Sequence, residues 1–281
     1  MYHPTRALLV LISCLCTNAG AQQHKLDILT DIAPVHSLVS MVAGEHANVE
    51  LLVQPNQSPH DFVLKPSQVS SIQKAQLIIM LESDVSPAIL RYVDSTQSKA
   101  TVLTIPQSSA ESHDWLSPEH AISWLTPIAE TIIDLDKENA KQYRQLETLA
   151  VDKLTTLQQE LKTQLNGVRD KSFIVYHDAY TQFAEAFGLQ APTAIAQSDA
   201  RTPGAARILK VRQIAQQSAC IFAEAQHDDG FINTVSEGVD IGHGILDPLG
   251  STVPLGPEHY ALMMRNLANE LHRCMAKANS E

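Results

Sequence analysis

Twelve histidines lie along the 281 residues, and their placement carries more information than their number. His60 sits in Gln57-Ser58-Pro59-His60-Asp61, just after an extended apolar run. There a loop would cross the carboxyl edge of a sheet, where open α/β sheets bind ligands. His113, in His113-Asp114-Trp115-Leu116-Ser117-Pro118, stands before a helix. His177 ends the apolar strand Phe173-Ile174-Val175-Tyr176 and immediately precedes another helix. Asp247, in Ile245-Leu246-Asp247-Pro248-Leu249-Gly250, follows a further apolar strand. Each has a plain explanation alone: His60 and His113 as surface loop residues, His177 as a satisfied core histidine, Asp247 as a cap or turn residue. Together, three imidazoles and one carboxylate at strand ends make a four-coordinate set suited to zinc, provided that the two halves of the chain face each other. Spacing alone does not establish that they converge.

The other candidates are weaker. His243, four residues before Asp247, suits either orienting a ligand or the surface. His227 with Asp228 and Asp229 reads as a weak second cation site or a solvated loop. His36, near the first strand–helix junction, caps or packs. There is no H-E-x-x-H pattern and no nucleophile elbow, and Gly242-x-Gly244 does not make a phosphate loop.

The elements that must position these residues alternate between short β-branched runs and amphipathic helices. Leu26–Thr30, Val49–Val53, Leu77–Met80 and Thr101–Ile105 read as strands, with helices over Pro34–Ala43 and Pro66–Ala75. Leu77-Ile78-Ile79-Met80 is apolar throughout, as expected of a strand buried on both faces of a parallel sheet. The alternation returns with Phe173–Tyr176, a helix over Asp178–Phe187, a helix over Pro203–Ser218, the strand Cys220–Ala223, and a last helix over Pro257–Ala278. Between the halves, Tyr143, Leu146, Ala150, Leu154, Leu157, Leu161 and Leu165 recur at three- and four-residue steps. That stripe predicts one helix of about thirty residues and about 45 Å, a length that suits a strut joining two β/α halves or a coiled-coil seam; its place between the halves favours the strut. The fold class is therefore α/β, with two lobes on mainly parallel sheets: residues 22–136, a linking helix over 137–168, and residues 169–281.

The N-terminus reads as an export signal. Arg6 is followed by the apolar stretch Ala7–Leu15, and Ala19-Gly20-Ala21 fits signal-peptidase cleavage near Ala21, leaving a chain that starts at Gln22. Leu11-Ile12-Ser13-Cys14 is an alternative lipoprotein-type processing site. About 260 residues then remain, enough for two modest domains. The formal net charge of −11 argues against nucleic acid as a partner. Once Cys14 and Cys16 leave with the leader, Cys220 and Cys274 remain, either as one disulfide or as two buried thiols.

Five ordered stretches make the chain recognisable. They are Ser58-Pro59-His60-Asp61-Phe62 with Lys65-Pro66-Ser67; His113 to Pro118; Val175-Tyr176-His177-Asp178-Ala179-Tyr180; Cys220-Ile221-Phe222-Ala223-Glu224; and Leu246-Asp247-Pro248-Leu249-Gly250. Over nearly the whole mature length the chain resembles the substrate-binding proteins of bacterial metal-uptake ABC transporters, of the zinc-binding, ZnuA-like type. The resemblance implies two lobes joined by one long backbone helix with metal in the cleft between them. It also implies His60, His113 and His177 as ligands, Asp247 completing or closing the site, and a disulfide where Cys220 and Cys274 stand. Manganese-carrying relatives usually place a glutamate at the third ligand position; here it is His177, a softer donor that favours zinc.

Two departures stand out. The long histidine- and acid-rich loop of many zinc-group members is replaced by Gln107-Ser108-Ser109-Ala110-Glu111-Ser112, and Pro59 stands where some relatives carry an acidic residue. The resemblance further implies a periplasmic monomer that is not an enzyme, carries Zn2+ as its transported ligand, and delivers it to a membrane permease with a cytoplasmic ATPase. The alternatives are a manganese- or iron-specific protein of the same kind and a zinc-dependent hydrolase. The hydrolase would need Asp247 as a general base and a water on the metal.

Overall fold

The computed structural model describes residues 25–82, 85–96, 98–109, 113–197 and 202–277. The export signal assigned to residues 1–21, the alternative at Cys14 and the new terminus at Gln22 lie outside them.

The first half runs β1 (Leu26–Thr30), α1 (Ala33–Ala43), β2 (Ala47–Leu51), α2 (Pro66–Lys74), β3 (Leu77–Glu82), α3 (Pro87–Thr96), β4 (Thr101–Pro106) and α4 (Pro118–Leu135). The long helix α5 (Ala140–Leu165) follows. The second half runs β5 (Phe173–His177), α6 (Thr181–Phe187), β6 (Thr193–Ala196), α7 (Ala205–Ala215), β7 (Cys220–Glu224), α8 (Gly230–Ser236), β8 (Gly242–Leu246) and α9 (His259–Lys277). Each half holds a four-stranded sheet, ordered β2-β1-β3-β4 and β6-β5-β7-β8, with all pairings among the described residues parallel. The two orders are equivalent. Each reverses direction at its centre, between β1 and β3 or between β5 and β7, and loops leaving the carboxyl edge there diverge to leave a crevice.

The expected strands are present with small shifts. The second strand begins at Ala47 rather than Val49, because its pairing with β1 runs from Leu26↔Ala47 to Thr30↔Leu51. Leu52 and Val53 continue the hydrogen bonding, donating to the carbonyls of Thr30 and Asp31. Edge strand β6 was not foreseen: Thr193-Ala194-Ile195-Ala196 has weak strand character and is held by register with β5.

Helix α5 is the strut that the apolar stripe predicts. It has 26 residues and is extended at both ends by single 3-10 turns, Lys137–Asn139 and Asn166–Val168. Tyr143, Ala150, Leu154, Leu157, Leu161 and Leu165 are buried, while Leu149 on the opposite face is 56% exposed. The stripe packs on α1 and α4 of the first half and α9 of the second, so one hydrophobic core runs through both. Leu146 closes against Gly44, where a Cβ would come within 2.8 Å of its Cδ1 and φ is +56°. A two-chain coiled-coil seam is thereby excluded for this face, since it is already covered within the chain.

Cys220, at the start of β7, is bonded to Cys274 in α9, with Cα atoms 6.2 Å apart. The bridge lies against Gly242 of β8, where a Cβ would meet the two sulfurs at 2.7 and 2.9 Å. Further links cross between the halves. Trp115 Nε1 donates to the Pro248 carbonyl at 2.8 Å, and the Tyr260 hydroxyl donates to the Trp115 carbonyl at 2.8 Å. Ser37 Oγ accepts from the Tyr260 amide at 2.9 Å and donates to the Gly256 carbonyl at 2.8 Å. No helix among the described residues is long and apolar enough to cross a membrane.

Candidate metal centre

His60 is carried by the loop between β2 and α2, and its amide donates to Ser58 Oγ at 3.3 Å. His113 enters from beyond β4, immediately before the 3-10 turn Asp114–Leu116. Asp114 anchors that turn, accepting from the Ser108 amide at 2.6 Å and the Ser108 hydroxyl at 2.7 Å. The His113 ring packs on Trp115, which holds its partner loop across the cleft. His177 is the last residue of β5. The three therefore come from both halves, and both His113 and His177 are buried.

One ligand atom from each of His60, His113 and His177 falls within a group no wider than 4.8 Å. The Nε2 atoms of His113 and His177 are 3.1 Å apart. Ring centroids are separated by 5.4 Å (His60–His113), 6.2 Å (His60–His177) and 5.0 Å (His113–His177). A tetrahedral zinc with nitrogens at about 2.05 Å would hold ligand nitrogens roughly 3.3 Å and ring centroids roughly 5.2 Å apart. The arrangement fits such an ion with small adjustments of His60, the least buried of the three. The partly open space lined by these rings with Ser58, Pro59, Leu249, Glu224 and His227 is about 10 Å³, on the scale of one ion or one water.

Asp247 is not part of this group. Its Oδ1 accepts from Gln226 Nε2 at 2.8 Å, the Gly250 amide at 2.9 Å and the Leu249 amide at 3.2 Å. Its Oδ2 accepts from the amide and hydroxyl of Ser251 at 2.5 and 2.6 Å. Both oxygens are consumed in pinning the turn that presents Pro248 to Trp115. In this geometry the carboxylate supports a loop, and for Asp247 to complete or close the ligand set, as expected, those bonds would have to break.

The carboxylate that does meet the histidines is Glu224, to which the sequence reading assigned no role. His177 Nδ1 lies 2.8 Å from Glu224 Oε1. Both side chains are almost wholly buried. With Nδ1–H donated to the carboxylate, the lone pair sits on Nε2, facing His113 and the enclosed space, and the carboxylate raises the ring's basicity as a ligand. A signal was available in the sequence. Glu224 ends the apolar run Cys220–Ala223 just as His177 ends Phe173–Tyr176, and the β5–β7 register, Val175↔Phe222, carries forward to put the two strand ends side by side at the reversal of strand order.

The lesser candidates separate clearly. His227 joins His177 and Glu224 in a second group with metal-ligand spacing; Asp228 is not in it, and its Oδ1 accepts from the Gly230 amide at 2.8 Å. His243 lies exposed on β8, beside the disulfide-bearing end of the second half. His36 is buried in α1, its Nε2 3.2 Å from the Val49 carbonyl, and burial lowers its pKa. In the short segment that replaces a histidine-rich loop, residues 110–112 lie outside the described residues.

A family model described as the zinc-uptake complex component A, periplasmic (ZnuA) matches residues 28–274. The chain belongs to the ZnuA family. It is 31% identical to the high-affinity zinc uptake system protein ZnuA of Paracoccus denitrificans over 95% of this chain and 97% of that one. It is 29% identical to the protein of the same description from Brucella suis, over 89% and 92%. Among solved structures, a zinc-bound ZnuA with residues 138–173 deleted superposes with a TM-score of 0.80 at 22% identity, covering 89% of this chain and 98% of that chain. The FpvC binding protein of Pseudomonas aeruginosa in complex with Ni2+ gives 0.80 at 19% identity, covering 92% and 99%. These similarities to solved structures carry the fold. The ZnuA fold accounts for the paired sheets and the joining helix described above.

Proposed function

We propose that this protein is exported, captures Zn2+ outside the cytoplasm at His60, His113 and His177, and delivers it to an ABC permease for high-affinity uptake. The observation that carries the reading is the convergence of three imidazoles, from both halves of the chain, around a space for one ion. Membership of a zinc-uptake family and relatives named as zinc uptake proteins point the same way. In this reading residues 22–136 and 169–281 form the lobes, residues 137–168 the connecting helix, and the leader is removed near Ala21. The protein acts as a monomer.

Three nitrogen donors with no carboxylate in the group suit zinc better than manganese. A water completes the tetrahedron in place of Asp247. The hydrolase alternative loses its proposed base, because Asp247 is held by five donors of its own turn and of Gln226. The space at the three rings is on the scale of one ion or one water, as a capture site needs. Because the imidazoles must be neutral to bind, affinity falls on acidification. The shared core along α5 and the links through Trp115, Ser37 and Tyr260 restrict opening to a small tilt with loop rearrangement, so that docking on the permease releases the metal by moving His60 or His113 and not by wide separation of the halves.

The test is elemental analysis and competitive titration of the mature protein against a zinc chelator. One tight zinc per chain that resists excess manganese is expected, with a strong loss of affinity in His60→Ala and His177→Ala. A preference for manganese, or unchanged affinity in both variants, would remove the assignment.

A further inference from the structure

Glu224 has a second oxygen whose situation the three-histidine site does not explain. Oε1 is the atom in hydrogen-bond geometry with His177 Nδ1. Oε2 lies equally close to that nitrogen, at 2.8 Å, but outside hydrogen-bond geometry, and is buried on a side chain only 1% exposed. A buried carboxylate that shares one ring N–H between its two oxygens still gains from a second positive group beside it. The atom opposite is His227 Nε2, at 3.7 Å, too long for a hydrogen bond. An ion at about 2.0–2.2 Å from an imidazole nitrogen and a carboxylate oxygen would bridge that gap with an open angle between the two bonds.

His227 is prepared for such a role. It follows β7 by three residues, and its ring stacks on Tyr176 with centroids 4.4 Å apart and planes 20° apart, which fixes its orientation. Its side chain is 15% exposed, against 3% for His177, so it stands nearer to solvent than the inner ligand it neighbours. The ring centroids of His177 and His227 are 5.9 Å apart. His177, Glu224 and His227 together satisfy metal-ligand spacing.

We propose that His227 Nε2 and Glu224 Oε2 form an outer zinc station at the mouth of the cleft, which holds the ion with water in its remaining positions and passes it inward to His60, His113 and His177. This rests on the zinc-capture reading above and adds a second, weaker site to it. Glu224 is the common element: the carboxylate that faces His227 also holds His177 in the tautomer that receives the ion. Two protein ligands make the outer site weak, as a station that must give up its ion needs to be.

The experiment is a zinc titration by equilibrium dialysis on four proteins: wild type, His227→Phe, His60→Ala/His113→Ala, and the triple variant that adds His227→Phe to that pair. Phenylalanine keeps the stack on Tyr176 and removes both nitrogens; His227→Gln serves as a second version if the first does not fold by circular dichroism. The expected result is a residual weak zinc equivalent in the His60→Ala/His113→Ala protein whose affinity drops at least tenfold when His227 is also replaced. In the wild-type background, His227→Phe keeps the tight equivalent and slows its loading in stopped flow. Equal zinc binding by the double and triple variants, or none in either, overturns the outer station while leaving zinc capture standing. Loss of the tight equivalent in His227→Phe also overturns it, by placing His227 in the inner set. A wild type with no tight equivalent sinks the capture reading itself.

Discussion

Removing the carboxylate behind His177 should weaken zinc binding although Glu224 is not one of the inner ligands. The 2.8 Å contact between Nδ1 and Oε1 lies between two buried side chains, so water does not replace it when it is lost. Partners of this kind, behind a metal-bound imidazole, are typically worth 10–100-fold in affinity, about 1.4–2.7 kcal/mol. Glu224→Gln retains an amide oxygen that accepts from Nδ1–H, so the tautomer survives and only the charge is lost; the effect should fall near tenfold. Glu224→Leu removes the acceptor, and the ring is free to place its proton on Nε2, the atom that faces the metal space; the effect should approach a hundredfold. The same variant strands a buried N–H, costing about 1–3 kcal/mol of folding stability in the metal-free protein. Competitive titration at substoichiometric zinc reads the inner site, and urea unfolding reads the stability. If Glu224→Leu binds zinc within twofold of wild type while remaining folded, the assignment of His177 Nε2 as a ligand oriented through Nδ1 is wrong.

Three further outcomes follow from the geometry. The disulfide closes a loop with a sequence separation of 54, so Cys220→Ser/Cys274→Ser should lose about 4 kcal/mol by the chain-entropy relation, read as a fall in the urea midpoint; a loss below 1 kcal/mol would show that the bridge constrains the unfolded chain little. Asp247→Ala should destabilise the fold by roughly 2–3 kcal/mol by stranding the donors of the 249–251 turn, yet lower zinc affinity less than His113→Ala does; the opposite ranking by chelator titration would restore Asp247 as a ligand.

Asp31 gives a pH dependence with a definite sign. It is fully buried just after β1, and desolvation raises its pKa from 3.8 to about 6 although the amides of Leu81 and Ile32 pull it down. A raised folded value means that the native state holds the proton more tightly than the unfolded chain. This contribution therefore favours folding below the unfolded value and is lost as pH rises from 3.8 to about 6, by about 3 kcal/mol. The unfolding free energy of wild type relative to Asp31→Asn should drop by that order between pH 4 and pH 7. A difference that stays flat would refute it.

Much of this protein was legible before any coordinates. The stripe from Tyr143 to Leu165 specified a long buried-face helix because helical periodicity is local and repeats over about six turns. The position of His177 at a strand end followed from an apolar run stopping at a polar residue, His60 and His113 fell in loops after strands, and the ordered motifs supplied the family. What local patterns left open was convergence. That needed both halves to pack on α5 and on each other, and the distances among three rings from two loops and one strand end follow from that packing, not from any spacing along the chain. The choice of carboxylate was open for the same reason. Asp247 in Asp-Pro-Leu-Gly-Ser could serve a turn or a metal, and only the folded loop shows its oxygens saturated by the amides beside it. Glu224 lies 47 residues from His177 in sequence. It becomes that histidine's partner through β5–β7 register, a non-local fact that the sequence encodes but does not display.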